Sequence, residues 1–350
     1  MGSENMVTLE KYYKNKTILI TGGAGSIGRQ LARALLKLNP RAIRVLDNNE
    51  AGLYFLEREL GSRRIRTLIG DVRDKERLRR ATEEVDIVFH AAALKHVPLC
   101  EYNPFDTVKT NILGTQNIID CALDEEVEKM IMVSTDKAVN PNSVMGATKM
   151  LAERLVTSSY NYRGNRKTAF ACVRFGNVLD SRGSVFPLFE QQIIEGGPVT
   201  LTDPKMTRFV MSVPKAVGLI LRATEIAKGG EVFILKMPSL RILDLVEVMI
   251  EVLAPDTGLK PEEIEIKTIG RRAGEKNYEE LLTIDESPYV TETDGLYVLD
   301  QKRSPSNKRC GVEEYSSKSA VLLGREDIRK LIKEVIELRG LDLNPGRHQP

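Results

Sequence analysis

Tryptophan is absent, and 350 residues contain three histidines and four cysteines. Cys100, Cys121, Cys172 and Cys310 are widely spaced and form no CxxC pair, which argues against a zinc knuckle or a disulfide scaffold and gives no reason to expect a metal. Reduced thiols in a cytoplasm fit that pattern. Charge of one sign is lacking too. Lys and Arg number 51 against 49 Asp and Glu, and a net +2 makes no field able to hold a phosphate backbone, so nucleic acid is not expected as a partner. No run of eighteen apolar residues could span a bilayer, and the opening MGSENMVTLEKYYKNK has no apolar signal core, so a protein neither exported nor membrane-bound is expected. Met1-Gly2 begins like an acylation signal, but Lys, Tyr and Glu dominate the neighbouring residues and lipidation is discarded.

What is present suits a folded globular protein: 42% hydrophobic and 29% charged residues can build a core. From Thr17, short β-branched runs (TILIT, AIRVLD, IRTLIG, VDIVFHA, KMIMVS, FACVRF) alternate with amphipathic stretches. That alternation predicts an α/β fold, a Rossmann-type doubly wound parallel sheet, whose strands are apolar because both faces are covered. The rhythm breaks near Asn177, where Gly/Pro punctuation begins. The expected division is a dinucleotide-binding domain over 16–177 and, over 178–350, a smaller C-terminal α/β substrate lobe interleaved with the last strands.

The first strand runs into Thr21-Gly22-Gly23-Ala24-Gly25-Ser26-Ile27-Gly28 and then a helical pattern. In this GxxGxxG, Gly22 tightens the turn, Gly25 lets backbone N–H groups approach a pyrophosphate, and Gly28 lets helix and strand pack closely. Asp47, nineteen residues past Gly28, ends the second strand, where a carboxylate accepts adenosine ribose hydroxyls and repels a 2′-phosphate. NAD is therefore favoured over NADP, although Arg44 nearby keeps NADP open. Asp71 and Val72 would sit by the adenine, and Ala91, Ala92 and Ala93 offer small side chains along the nicotinamide arm.

Ligands of doubly wound sheets lie beyond the carboxyl ends of the strands. Thr135, Asp136 and Lys137, ending the fifth strand, should therefore project toward the nicotinamide, with Met145 and Lys149 one turn apart on the next helix. His90 and His96 are read as structural, the first ending a buried strand and the second in a turn-forming segment.

The segments TGGAGSIG, HAAALKHVP, STDKAVNP, MGATK, RFGNVLDSRGSV and TDPKMTRFVM resemble the extended short-chain dehydrogenase/reductases that modify nucleotide sugars, most of all the UDP-N-acetylglucosamine 4,6-dehydratases of polysaccharide biosynthesis. The resemblance runs from about Lys16 to Leu282. LDNNEAGLYFLE resembles the NAD-using variants, including the catalytic domains of longer membrane-anchored relatives.

It implies oxidation at C4 of the sugar by bound NAD, loss of water across C5 and C6, and hydride return to C6. Lys137 would take the C5 proton, its pKa lowered by a neighbouring positive nicotinamide ring so that the neutral amine can serve as base, and a protonated Asp136 would serve the departing C6 hydroxyl. Lys137 also points to acetamido sugars, since dehydratases acting on glucose typically carry Glu at that position.

Met145 occupies the place of the superfamily's YxxxK tyrosine, and a thioether cannot accept the C4 hydroxyl proton. Thr135, a water or a relay through Asp136 are the alternatives for that step. Tyr12 and Lys16 share the spacing of that motif but precede the first strand. Further resemblance implies substrate contacts by Lys95, Asn177, Arg208, Arg272 and Glu275, the last two in a segment like RPGEK with Ala273 for proline.

Two long helices expected near 103–124 and 143–162 resemble the pair with which many relatives form a four-helix dimer interface, which implies a homodimer or a higher homo-oligomer. Retention at C5 is preferred over inversion. A UDP-hexose 4-epimerase and a non-catalytic NAD or nucleotide-sugar sensor are the competing readings.

Overall fold

The computed structural model describes residues 3–179, 181, 183–271, 274–293, 295–302 and 311–341. Among them, nine strands form one sheet: β1 (Thr17–Thr21), β2 (Ala42–Asp47), β3 (Ile65–Ile69), β4 (Ile87–His90), β5 (Lys129–Val133), β6 (Ala169–Arg174), β7 (Val232–Leu235), β8 (Val290–Thr293) and β9 (Leu296–Leu299). The spatial order is β8-β9-β7-β6-β5-β4-β1-β2-β3. The seven strands from β7 to β3 run parallel, and β9 and β8 close the edge antiparallel. Every residue of β1, β4 and β6 is buried, as their unbroken apolar character demands of strands covered on both faces. The fold is the Rossmann-like α/β architecture expected, with the order reversing between β1 and β4.

The chain contacts divide into two units. The first takes residues 1–176, 213–236 and 280–316; the second takes 177–212, 237–279 and 317–350. In the second, strands Asn177–Val178, Thr207–Met211 and Ser239–Arg241 form a small sheet. Helices Val185–Ile194, Ile242–Leu253 and Arg325–Leu341 enclose an apolar core that includes Phe186, Phe189, Leu245, Met249, Ile328 and Ile332.

A helix unforeseen in the sequence, Ser3–Tyr13, opens the chain. It is anchored by buried Leu9 and by Tyr13, whose hydroxyl donates to Leu221 O at 2.8 Å. Val144–Tyr162 is one helix, started by Ser143 accepting from Gly146 N. The other expected long helix runs unbroken over 104–124, with a π-helical turn Lys109–Leu113 between Pro104–Val108 and Gly114–Asp124. Among the described residues no helix is long and apolar enough to cross a membrane.

Candidate active site

The glycine loop follows β1 directly. Gly22 has φ +68°, and a Cβ there would lie 2.6 Å from Ala92 N; one on Gly28 would lie 2.4 Å from Gly22 O. Both must be glycine for the loop, β4's end and the following helix to meet. Gly25 differs. Its Cβ would meet just Gly22 O, at 3.2 Å, and it caps the helix Ser26–Leu36 without a side chain over the first turn. The N–H groups at Ser26 and Ile27 thus begin a helix behind an open glycine shelf, the arrangement a pyrophosphate requires.

Asp47 borders that shelf, accepting from Ala24 N through Oδ2 and from Asn49 N through Oδ1, both at 2.9 Å. Arg44 is spent elsewhere, donating to the carbonyls of Ala81 (2.9 Å) and Glu83 (2.5 Å). Asp71 is gripped by the Arg73 guanidinium at 2.7 and 2.9 Å, which holds its carboxyl below the usual range against the opposing effect of burial. Val72 is buried against Gly114. Ala91, Ala92 and Ala93 are half-buried, and Ala91 N continues the β4 ladder to Thr21 O at 3.1 Å. These groups fit a dinucleotide by their chemistry: an open glycine at a helix start, small side chains beside it, and a carboxylate at the second strand.

His90 is wedged between Thr21 Oγ1 (2.7 Å) and Thr115 Oγ1 (3.0 Å), and burial, with Lys149 nearby, drives its pKa down to about 3. It is a neutral structural link. His96 caps the helix Val97–Tyr102.

At the end of β5 the ladder to β6 continues, through Ser134 N to Val173 O (2.7 Å) and Asp136 N to Phe175 O (3.0 Å). Thr135 caps a single 3-10 turn, Asp136–Ala138. Asp136 is fully buried. Its Oδ1 accepts from Thr135 Oγ1 and from Lys137 Nζ, both at 2.9 Å, while its Oδ2 has no hydrogen-bond partner among the described residues. A buried carboxyl oxygen left so is costly unless a proton or a ligand hydroxyl meets it.

Met145 and Lys149 are both buried on the helix Val144–Tyr162. Lys149 Nζ donates to Val133 O at 2.6 Å, and burial lowers its pKa to about 8. Two neighbours have no counterpart among the residues singled out by sequence. Gly146 lets this helix touch the turn Asp136–Ala138, since a Cβ there would be 2.4 Å from Lys137 O. Asn111, buried in the π-helical turn, brackets Leu94 by accepting from its N–H (2.8 Å) and donating to its carbonyl (3.0 Å), and reaches Thr148 Oγ1 at 3.1 Å. Glycine inside a helical pattern was the available signal for the first; the second had none.

Lys95 is exposed on the segment after β4. In the second unit, Asn177 is half-buried at the start of its strand, and Glu275 is half-buried. Arg208 is buried and donates to the carbonyls of Thr207 (2.8 Å), Lys276 (2.9 Å) and Asn277 (3.3 Å), so it secures the 276–277 loop. Arg272 lies outside the described residues.

Residues 18–301 match the family model described as polysaccharide biosynthesis protein. An uncharacterized membrane protein of Methanocaldococcus jannaschii is 61% identical over 327 residues, 93% of this chain and 98% of that one. A UDP-N-acetylglucosamine 4,6-dehydratase (inverting) of Campylobacter jejuni is 42% identical over 298 residues, 85% of each chain. The X-ray structure of Pen from Bacillus thuringiensis superimposes with a TM-score of 0.87 at 44% identity, covering 92% of this chain and 98% of that one. The chain belongs to the polysaccharide biosynthesis branch of the extended short-chain dehydrogenase/reductases, the family of the UDP-N-acetylglucosamine 4,6-dehydratases.

Proposed function

We propose that the chain converts UDP-N-acetylglucosamine to a UDP-4-keto-6-deoxy-N-acetylhexosamine as an NAD-dependent hydro-lyase. The observation that carries this is the buried Asp136 carboxyl, bonded through one oxygen to Thr135 and Lys137 and bare at the other. An epimerase has no water to expel and no use for that acid.

Bound NAD would supply the hydride acceptor for C4 and the donor for C6. The glycine shelf at Gly22–Gly28, Asp47, Asp71, Val72, Ala91–Ala93 and Lys149 would hold it. Arg44 is tied through Nη1 to two backbone carbonyls, while the Asp47 carboxylate at the end of the second strand would repel a 2′-phosphate, which supports NAD over NADP.

The proton steps then balance on three side chains. Thr135 passes the C4 hydroxyl proton to Asp136 along their 2.9 Å contact, the task Met145 cannot perform. Neutral Lys137 takes the C5 proton. Asp136 delivers a proton to the C6 oxygen, which leaves as water, and the C5 proton passes from Lys137 to solvent while a solvent proton returns to C5. Return from the face opposite Lys137 inverts C5. We adopt inversion, in line with the Campylobacter relative, over retention, because the preference for retention rests on the second strand, which borders the ribose and has no lever on C5.

Incubation with UDP-N-acetylglucosamine in deuterated water, with NMR and mass spectrometry of the products, tests the reading. A 4-keto-6-deoxy product carrying deuterium at C5 with inverted configuration is expected. Retained configuration overturns the stereochemistry alone; C4 inversion without water loss would mean an epimerase, and unchanged bound substrate a sensor.

A further inference from the structure

Behind the catalytic turn lies a charge cluster that the proposed chemistry does not use. Arg174, the last residue of β6, is buried between two carboxylates from distant parts of the chain. Its Nη2 binds Glu153 Oε1, with Nε 3.3 Å from Glu153 Oε2; on the other side, Nη1 and Nη2 lie 2.9 and 3.1 Å from the oxygens of Glu286. Glu286 is held below the usual carboxylate range because Arg174 overcomes the effect of burial.

The cluster reaches the candidate site by two routes. Glu153 Oε2 accepts from Ser134 Oγ at 2.7 Å, one residue before Thr135, and Glu153 stands one turn beyond Lys149 on the same helix. Arg174 Nη1 also donates to Leu281 O at 2.8 Å, in the strand Glu280–Leu282. That strand packs beside the turn Asp136–Ala138, and Glu280 Oε1 accepts from Asn140 Nδ2 at 3.1 Å. Glu286 ties the same segment down by accepting from Thr283 N at 3.2 Å.

We infer that Arg174 and Glu286 are positioning residues that fix the Ser134–Lys137 turn against β6 and the 280–286 segment, holding Asp136 and Lys137 at the geometry proton transfer needs. This rests on the proposed dehydratase reading for its kinetic consequence alone. The physical ground is that a guanidinium presents a rigid planar fork, so pairing both its edges sets the angle between the elements it joins, and catalytic efficiency falls steeply with small displacements of acid and base. The arrangement leaves two carboxylates to one guanidinium, so an apolar replacement of Arg174 would strand both buried carboxylates.

Glu286→Gln, which keeps shape and hydrogen-bonding capacity, and Arg174→Lys are the test variants. Both are expected to remain folded, to bind NAD as the parent does, and to lose at least tenfold in kcat with KM for UDP-N-acetylglucosamine within about twofold. Amide hydrogen exchange of the peptide covering 134–139 should accelerate at least threefold, with exchange over β2 unchanged. Exchange at 134–139 equal to the parent in folded variants overturns the positioning role. Accelerated exchange without any parent dehydratase activity overturns the proposed function and leaves the positioning role standing. A uniform rise in exchange across both peptides would mean general destabilisation and also overturns the inference.

Discussion

Lys137 and Asp136 form a 2.9 Å pair in which one proton suffices for two states, ammonium with carboxylate or amine with carboxylic acid. The proposed elimination starts from the second state and leaves the first, which Lys137 discharges to solvent, so each residue is needed as a proton carrier and neither as a scaffold. Lys137→Ala should lower turnover by at least ~100-fold, in line with the worth of a positioned base, with NAD affinity unchanged by titration. Near-parental turnover would remove the residue from the chemistry. Lys149 makes a prediction of a different kind. Burial brings its pKa from 10.5 to about 8, so below pH 8 the ammonium is carried in both states and the folded protein bears the full desolvation cost. Between about pH 8 and 10.5 the unfolded chain binds more protons, and that cost fades as pH rises. Denaturant titrations should show the parent gaining on Lys149→Met across this window by on the order of 3 kcal/mol; a flat difference would contradict the buried charge. Both lysines were legible in the sequence because they follow a strand and a helix start at fixed spacing. Glu286 was not, since 112 residues separate it from Arg174 and no local pattern marks a charge whose partner is so far away.

At the scale of elements, the helix Val144–Tyr162 must lie nearly in contact with the end of β5 and the turn Asp136–Ala138 for Lys149 to reach Val133 O. Gly146 makes that possible. Glycine within a helix ordinarily costs about 1 kcal/mol relative to alanine, so Gly146→Ala would stabilise an unconstrained helix. Here the added methyl would sit 2.4 Å from Lys137 O and 3.0 Å from Pro141 Cβ, and a backbone carbonyl cannot yield as a flexible side chain can. The expected sign is therefore reversed: a loss of roughly 1–3 kcal/mol in thermal unfolding, with a larger proportional loss of turnover. A more stable, fully active Gly146→Ala protein would show that the helix and turn are not coupled. Strand positions in the main sheet were readable because buried parallel strands are apolar throughout. The π-helical turn at Lys109–Leu113 was not: Asn111 within it bonds Leu94 and Thr148, tertiary contacts that periodicity does not register.

At the scale of the whole molecule, the first unit is discontinuous, taking up 213–236 and 280–316 after the chain has left it. A break in strand–helix rhythm near Asn177 marks where the second unit begins, but β7 and the β8–β9 hairpin look like any short strands in the sequence, and their membership of the main sheet is set by pairing with β6 and with one another. The helices Val97–Tyr102 and Pro104–Val108 pack on Val144–Tyr162 and carry apolar side chains on their outer side. Tyr102 is 87% exposed, Phe105 79% and Leu99 62%, with Leu113, Met150 and Leu151 also exposed on these and adjoining elements. Large apolar side chains clustered in this way are uncommon on a monomer. The homodimer implied by the family resemblance would cover this face, since a two-fold axis lets one apolar face bury against itself without a complementary surface elsewhere. Light scattering after size exclusion should give twice the 39.2 kDa chain mass for the parent and the single mass for Tyr102→Glu/Phe105→Glu. The doubly substituted chain should keep its NAD affinity, since neither position borders the glycine shelf. A monomeric parent, or a dimer indifferent to both substitutions, would place the interface elsewhere and leave this apolar face without its partner.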